Sequence, residues 1–323
     1  MTEYIDSFCI LIASHISNSK RIEYLLKCIE SLIKQNTLIY IQIYLSISFE
    51  NQVLKDEFKE IIKREYLIYN PYINIFIREE KTAQMRHYYI LLDEIKLKHK
   101  WVMFCDDDDT YNSNRIINII KTIHYIETQN KTNSILAGIY ESHCEKDHRE
   151  HRHEYWCYCV NKVILERFYD RIKDYPDIID NKCCDILFGE YMRRLNKDFV
   201  FARLNMKLYN YRVEENQDSI TGVIQSKQGF YTRNNEHPPI GDPRLPEYIL
   251  DWNDYLYKHL DAYLHDVFLR TIVGCNMEYI LQSEFRKDYE LLSFIDECHV
   301  NKMREKHEYW RMVCSKLYDV PLL

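Results

Sequence analysis

The first hundred residues alternate between short apolar runs and amphipathic stripes. Apolar runs of strand length lie at residues 8–13, 40–47, 73–77 and 101–105. After the first run, apolar residues recur at spacings of three and four, namely Ile22, Leu25, Leu26, Ile29, Leu32 and Ile33. This spacing predicts a helix capped by Ser17 or Ser19, and further helices are predicted at residues 52–64 and 82–98. Strands that alternate with helices predict an α/β fold, in which helices cover both faces of a mainly parallel sheet.

The later sequence is less regular and ends in helical patterns. Strands are predicted at residues 135–140 and 155–160, and helices at 161–173 and 183–195. From residue 246 onward only helical patterns occur, including residues 248–260 and 277–294. Proline and glycine cluster at Gly241-Asp242-Pro243, which predicts a boundary there. We therefore expect one α/β domain at residues 1–240 and a helical region at residues 241–323.

Charge and hydropathy exclude several classes of protein. The net charge of −7 over 323 residues disfavours a nucleic-acid partner, because phosphate backbones need a basic face. No signal peptide is evident, and no stretch approaches the roughly 18 apolar residues of a membrane span. A cytoplasmic location is therefore expected. The 6 glycines against 28 tyrosines suggest an A/T-biased genome, which would fit a large DNA virus and hence a host cytoplasm.

Four consecutive aspartates, Asp106 to Asp109, follow directly on the apolar run at residues 101–105. Adjacent carboxylates repel one another unless a cation or hydrogen-bond donors compensate. Oxygen ligands at such spacing suit Mg²⁺ or Mn²⁺, often shared with substrate phosphates. In parallel sheets ligands bind at the carboxyl ends of strands, where this aspartate run is predicted to lie. The alternative is a solvated acidic turn that caps the next helix.

Two chemistries compete for the aspartate run. In one, a bound metal stabilises a nucleoside diphosphate as a leaving group. In the other, the run matches the D-x-D-x-T signature of haloacid-dehalogenase-like phosphatases, with Asp106 as nucleophile. Two departures weaken that match: Asp109 occupies a position that favours glycine, and Pro246 stands where a later acidic residue belongs.

Three segments resemble the GT-A fold of inverting, family-2-type glycosyltransferases. They are Ile10-Leu-Ile-Ala-Ser-His15 with the helix at residues 21–32, Phe104-Cys-Asp-Asp-Asp-Asp-Thr-Tyr111 with Arg115-Ile116, and Tyr211-Arg-Val-Glu-Glu-Asn-Gln-Asp-Ser-Ile-Thr221. The second resembles the D-x-D motif of that family, and the third resembles its Y-R-x-H-x-x-S segment, with Glu214 in place of histidine. The likeness covers residues 8–225 and implies a GT-A-like domain.

The resemblance also implies roles for individual residues. A nucleotide-sugar donor would contact Ala13, Ser14, His15, Ser46, Ser48, Glu50, Gln84, Arg86, Asp106, Asp107 and Arg212. Within this set, Ser46, Ser48 or Glu50 replaces the acidic residue that commonly contacts the nucleobase. The identity of the nucleobase is therefore left open. The metal would be held by Asp108 and Asp106, with His237 as an alternative ligand.

Inverting transfer needs a base that deprotonates the acceptor hydroxyl. The resemblance implies an acid near the start of a late helix, and Asp185 fits that place best. Asp180 and Glu190 are rivals. The alternative for Asp185 is a carboxylate that only complements a helix dipole.

Two other clusters leave their roles open. Histidines and cysteines crowd residues 143–159 without a C-x-x-C pair, which favours an acceptor-side loop over a zinc site. The aromatic segment at residues 248–263 predicts helix packing, with a homodimer face through the C-terminal helices or a platform for the acceptor as the alternatives.

These features lead to one hypothesis and two alternatives. The chain is predicted to be a glycosyltransferase of the hexosyltransferase type that uses Mn²⁺ or Mg²⁺. It would transfer a sugar, with inversion, from a UDP-sugar to a hydroxyl of a saccharide or other acceptor. The alternatives are the phosphatase and a non-catalytic protein that binds a nucleotide or a divalent ion.

Overall fold

The structure, a computed structural model, describes residues 7–36, 41–65, 67–96, 98–129, 135–142, 154–196, 198–212, 260–285 and 297–319. The chain divides into two compact units, Met1–Arg212 and Val213–Leu323. The predicted boundary near residue 240 falls within residues 213–259, outside the described residues, and stays a prediction.

A seven-stranded sheet forms the core of the first unit. Its strands are β1 (Phe8–Ile16), β2 (Gln42–Phe49), β3 (Ile73–Ile77), β4 (Trp101–Asp106), β6 (Ile135–Glu141), β7 (Tyr158–Asn161) and β8 (Phe199–Leu204). They are ordered β3-β2-β1-β4-β7-β6-β8, and only β7 runs antiparallel to its neighbours. A short antiparallel pair joins β5 (Thr110–Tyr111) to β9 (Tyr209–Asn210). The predicted α/β class with a mainly parallel sheet is confirmed.

Helices flank this sheet. They are α1 (Ser19–Ile33), α2 (Gln52–Arg64), α3 (Gln84–Glu94), α4 (Arg115–Gln129), α5 (Lys162–Ile172), α6 (Pro176–Ile179) and α7 (Cys184–Arg193). Each of the longer helices buries an apolar stripe, as α1 does with Ile22, Leu25 and Ile29. The cap of α1 is Asn18, whose side chain accepts a hydrogen bond from the amide of Arg21, and the predicted serine caps were wrong.

The register brings the ends of neighbouring strands to one edge of the sheet. Ala13 of β1 lies beside Asp106 of β4, and His15 of β1 lies beside Ser48 of β2. Because these strands are parallel, the polar residues that follow them share the carboxyl edge, where ligands bind in such folds.

One predicted strand was wrong in part. Residues 155–160 contain a 3₁₀ turn, Tyr155–Cys157, before β7 begins at Tyr158. The turn carries Tyr155 toward the carboxyl end of β4, where its hydroxyl contacts Asp106. Alternation of apolar residues does not distinguish such a turn from a strand.

The described part of the second unit is helical, as predicted. It contains α8 (Leu260–Ile272), α9 (Met277–Phe285) and α10 (Glu297–Tyr318). Phe268 of α8 packs edge-on against Trp310 of α10, with ring centroids 5.0 Å apart. Across the described residues of both units, none of the helices has the length and apolar character needed to cross a membrane.

Gly138 allows β6 and β7 to pair closely. A Cβ at this position would lie 2.4 Å from the carbonyl oxygen of Cys159 and 3.1 Å from the ring of Phe201. We expect Gly138→Ala to lower the free energy of unfolding by about 1–3 kcal/mol, because a backbone atom must move. Urea unfolding checks this, with Val200→Ala as a control, because the Val200 side chain is exposed and its truncation is expected to change stability by under about 0.5 kcal/mol. Equal stability of both variants would contradict the close pairing.

Candidate active site

The aspartate run lies where β4 leaves the sheet. Asp106 is the last residue of β4, and the amide of Asp109 donates to its carbonyl oxygen at 3.1 Å, which closes a turn. The Oδ1 atom of Asp106 accepts hydrogen bonds from Gln84 Nε2 at 2.8 Å and from the hydroxyl of Tyr155. Burial and the nearby carboxylates raise the pKa of Asp106 well above its usual range.

Asp107 points back toward the start of α1. Its Oδ2 atom accepts from the hydroxyl of Ser14 at 2.6 Å, and its Oδ1 atom accepts from Nη2 of Arg21. Burial raises the pKa of Asp107 to about 6, although Arg21 opposes that shift. Both oxygens of Asp107 and the hydroxyl of Ser14 are thus engaged within the protein, and the donor contacts expected of these residues stay predictions.

Asp109 is fully buried and tied to the later chain. Its Oδ2 atom accepts from the hydroxyl of Tyr209 at 2.9 Å, and its Oδ1 atom accepts from the amide of Arg212 at 2.8 Å. Burial and the charge of Asp108 raise the pKa of Asp109 to about 7. Arg212 is therefore brought to the aspartate run through its backbone, whereas the role of its guanidinium in binding a diphosphate stays a prediction.

The side chain of Asp108 remains accessible to a ligand, whereas those of Asp107 and Asp109 are buried. Its side chain is 16% exposed, and its Oδ2 atom lies 3.7 Å from Nη1 of Arg21. Among the described residues, no group of three His, Cys, Asp or Glu side chains is arranged to hold a metal ion. The chemistry of the run nevertheless fits Mg²⁺ or Mn²⁺, since such ions often take one or two protein carboxylates and complete their shell with phosphate oxygens and water. Asp108 and the remaining oxygen of Asp106 are the ligands that fit.

A buried ion pair supports the run from behind. Arg115 of α4 is fully buried and pairs with Glu141 of β6, and it also donates to the carbonyl of Trp156 at 2.9 Å. Its guanidinium lies over the ring of Tyr209, 5.1 Å from the centroid, and Trp156 stacks on the same ring at 4.2 Å. These contacts fix the tyrosine whose hydroxyl bridges Asp109 and the backbone amide of Asp106.

Three residues that were predicted to contact the nucleobase and ribose form a hydrogen-bonded row at the ends of β1 and β2, namely His15, Ser48 and Glu50. His15 contacts Ser48 through Nδ1 and Glu50 through Nε2, both at 2.9 Å. Burial lowers the pKa of His15, although Glu50 opposes the shift. Behind this row, His87 is buried against Ser46 at 2.8 Å, and burial lowers its pKa to about 3. Burial therefore favours the neutral form of both imidazoles, and of the two only His15 reaches the Glu50 carboxylate.

The two residues predicted to open the helix before β4 differ in their surroundings. Gln84 is the first residue of α3 and donates to both Asp106 and the hydroxyl of Tyr155, each at 2.8 Å. Arg86 instead makes two hydrogen bonds to Asp180, at 2.7 and 2.9 Å. The structure therefore joins Gln84 to the aspartate run and ties Arg86 to the segment before α7.

Asp185 lies in the first turn of α7, as predicted. Burial raises its pKa to about 7, against hydrogen bonds from backbone amides in its own turn. Burial also raises the pKa of Tyr155, and the charges of Asp106 and Asp185 raise it further. The helix α7 packs against the 3₁₀ turn Tyr155–Cys157, and Tyr155 in turn contacts Asp106. The rivals differ, because Asp180 is paired with Arg86, and Glu190 is buried beside Arg193 at 2.7 Å.

Some expectations lie outside the described residues, and some site residues were not predicted. His237 and the histidines of residues 143–153 are outside the described residues. Cys157 and Cys159 are buried free thiols. Reasoning from sequence did not assign roles to Arg21, Tyr155 or Tyr209, which all contact the run directly. Only the position of Arg21, three residues after the helix cap Asn18, gave a signal that could have identified it.

Comparisons with known proteins give structural similarities at low identity. No protein-family model matches the chain, and no curated protein matches it. Among solved structures, S. aureus TarS residues 1–349 in complex with UDP is similar at 12% identity and a TM-score of 0.45, covering 94% of this chain and 91% of that one. The mannosyltransferase PcManGT from Pyrobaculum calidifontis, in complex with GDP-Man and Mn²⁺, is similar at 10% identity and a TM-score of 0.47, covering 96% and 87%.

A third similarity has a different stated activity. It is 4-diphosphocytidyl-2C-methyl-D-erythritol synthase from Anaerococcus prevotii, at 13% identity and a TM-score of 0.40, covering 70% of this chain and 99% of that one. At TM-scores below 0.5, none of these similarities assigns an activity to this chain.

Proposed function

We propose that this chain is a metal-dependent glycosyltransferase that transfers a sugar from a nucleoside-diphosphate sugar, with UDP as its nucleotide, to an acceptor hydroxyl. The observation that carries the proposal is the meeting of two acidic features at one edge of the sheet. Asp106 contacts the hydroxyl of Tyr155, and the helix α7, which carries Asp185 in its first turn, packs against the 3₁₀ turn that carries Tyr155. Sugar transfer needs both a stabilised leaving group and a base, and these residues supply the two parts.

The leaving group would be stabilised at the aspartate run. Bound Mn²⁺ or Mg²⁺ neutralises the charge that develops on a departing diphosphate. Asp108 and Asp106 would hold the ion, with His237 as a further candidate. Asp107 and Asp109 hold the run in shape through Arg21, Ser14 and Tyr209.

The nucleoside would lie along the ends of β1 and β2. Ala13 and His15 line that edge, and Ser48 and Glu50 follow on the neighbouring strand. Glu50 is half exposed and accepts a hydrogen bond from His15, so its carboxylate is oriented before a ligand arrives. An oriented carboxylate suits an N–H donor such as N3 of uracil.

Acceptor activation would fall to Asp185. A buried carboxylate with a pKa of about 7 is partly ionised at neutral pH and holds a proton well once it has taken one. The acceptor oxygen would attack the anomeric carbon in a single displacement while Asp185 takes its proton, and the nucleoside diphosphate would leave from the opposite face, which gives inversion.

A thermal-shift panel tests the proposal. Nucleoside diphosphates and nucleotide sugars are added with and without Mn²⁺ to the wild type and to Asp108→Asn. Ligand at a hundredfold excess over its Kd stabilises the folded state by about 2.7 kcal/mol, which raises Tm measurably. We expect uridine nucleotides to stabilise the wild type only with Mn²⁺, and Asp108→Asn to lose that effect.

Asp170→Asn is the matched control, because this aspartate is 71% exposed on α5. It should respond to nucleotides as the wild type does. Absence of any nucleotide response in the wild type would contradict the proposal. In that case, phosphate release from phosphomonoesters would favour the phosphatase. If the wild type instead binds a nucleotide but does not turn over the donor, the non-catalytic protein would be favoured.

A further inference from the structure

The side chain of Arg21 lies between two carboxylates of the aspartate run. Its Nη2 atom donates to Asp107, and its Nη1 atom lies 3.7 Å from Asp108. The side chain is 14% exposed, so water screens its charge poorly. Its Nε atom is buried and has no hydrogen-bond partner among the described residues, which leaves the carboxylates as the groups that hold the guanidinium.

The start of α1 fixes this arginine in place. Asn18 accepts from the amide of Arg21 through its side chain and its carbonyl, both at 3.2 Å. Ser14 holds the second oxygen of Asp107 at 2.6 Å, so the carboxylate that orients Arg21 is itself held at both ends. The positive charge beside Asp108 is therefore a built feature of the site.

A cation that binds Asp108 must approach this fixed positive charge. Two like charges a few ångströms apart in a partly buried site repel one another strongly. A nucleoside diphosphate reverses the balance, because its negative oxygens can lie near both the ion and the guanidinium. Either ligand should then bind better when the other is present.

We infer that Arg21 is a positioning residue that weakens the binding of a divalent cation to the free protein and couples cation binding to that of the nucleotide diphosphate. This inference rests on the proposed function. Arg21 thereby favours loading of the cation together with the donor. It also occupies the acidic edge when no donor is bound.

The test measures Mn²⁺ binding by electron paramagnetic resonance, with and without UDP, in the wild type and in Arg21→Gln. Glutamine keeps a hydrogen-bond donor for Asp107 and removes the charge. We expect Mn²⁺ alone to bind Arg21→Gln about tenfold more tightly. We also expect the factor by which UDP improves Mn²⁺ binding to fall by about tenfold. Arg21→Lys, which keeps the charge, should retain most of the coupling.

Two comparisons control for net charge and for folding. Lys20→Gln removes an exposed charge one residue away and should leave Mn²⁺ binding within about twofold of the wild type. Asp107→Asn keeps Arg21 and should bind Mn²⁺ more weakly. The double variant Asp107→Asn/Arg21→Gln should recover tighter binding relative to Asp107→Asn, without leaving a buried carboxylate unpaired.

The outcomes separate this inference from the proposed function. Equal Mn²⁺ affinity in Arg21→Gln and the wild type, repeated in the pair of Asp107 variants, overturns the role of Arg21. If the wild type binds no nucleotide with Mn²⁺, the transferase proposal fails, and the coupling fails with it. The arm with Mn²⁺ alone still decides whether Arg21 weakens cation binding.

Discussion

Replacement of Asp185 by asparagine is expected to lower the rate of sugar transfer by about 10²- to 10⁴-fold, which is the usual contribution of a general base. Asparagine has nearly the same shape and cannot accept the acceptor proton. Donor binding should be unchanged, because Asp185 lies on α7 and the nucleotide edge is formed by β1 and β2. Transfer from the donor identified in the thermal-shift panel, measured with the stabilisation by nucleotide and Mn²⁺, checks both parts.

The pH dependence of transfer gives this prediction a direction. A base works in its ionised form, and burial raises the pKa of Asp185 to about 7. The wild-type kcat/KM should therefore fall as pH drops below about 7 and level off above it. Asp185→Asn should lose this limb of the profile.

The free energy of unfolding of the wild type should fall as pH rises, whereas its rate of transfer rises. A carboxyl whose folded-state pKa is raised from 3.8 to about 7 stabilises the folded protein at low pH, and that contribution is lost as pH rises through about 7. Asp185→Asn should therefore be relatively more stable at pH 8 than at pH 5, compared with the wild type. Loss of activity together with gain of relative stability at pH 8 cannot result from misfolding.

Asp180→Asn is the matched control for Asp185→Asn. Asp180 lies five residues earlier, and its half-exposed carboxylate is already bound by Arg86. We expect a change in transfer rate of less than about fivefold, because such a pair contributes under about 1 kcal/mol. If Asp180→Asn abolished transfer and Asp185→Asn did not, Asp180 would be the base.

The sequence carried enough information to place the sheet and the aspartate run. Three predicted elements, β3, β4 and α2, have bounds that match or differ by one residue, because their apolar patterns are dictated by burial within the element itself. The run then had to lie at the carboxyl edge, since it follows a buried parallel strand. The strand β8 was not predicted, because its residues are mostly half-buried at the edge of the sheet and lack a clean alternation.

The long-range contacts that hold the aspartate run could not be predicted from the sequence pattern. Tyr209 reaches Asp109 across 100 residues of chain, and Arg21 reaches Asp107 across 86. The first contact depends on the pairing of β5 with β9, and the second on the register of β1 against β4, neither of which periodicity encodes. A run of four aspartates did indicate that compensating partners must exist, although their identity had to come from the structure.

Among these partners, the buried pair of Arg115 and Glu141 is expected to have the largest effect on stability. We expect Arg115→Ala to lower the free energy of unfolding by about 3–5 kcal/mol, because it leaves Glu141 as an uncompensated buried charge. The side chain of Arg115 is fully buried, and that of Glu141 is 2% exposed. Glu141 also accepts from the amide of Leu208, which leads into β9. Urea unfolding measures the loss, with ligand absent.

Two further variants separate the charge from the packing of Arg115. Arg64→Ala removes an exposed arginine paired with Glu65 and should cost under about 1 kcal/mol. The double variant Arg115→Met/Glu141→Leu removes both charges and should be more stable than Arg115→Ala, because no buried charge remains unpaired. A loss of under about 1 kcal/mol in Arg115→Ala would contradict the buried pair.

The same pair connects stability to the proposed chemistry. Arg115 lies against the ring of Tyr209, whose hydroxyl bridges Asp109 and the amide of Asp106. In the double variant Arg115→Met/Glu141→Leu, the Tyr209 ring no longer has the Arg115 guanidinium against it. Even when this variant is fully folded, the aspartate run should therefore bind Mn²⁺ and nucleotide more weakly. Folding and ligand binding measured on this one variant therefore show whether the buried pair serves the core alone or also holds the run in its binding geometry.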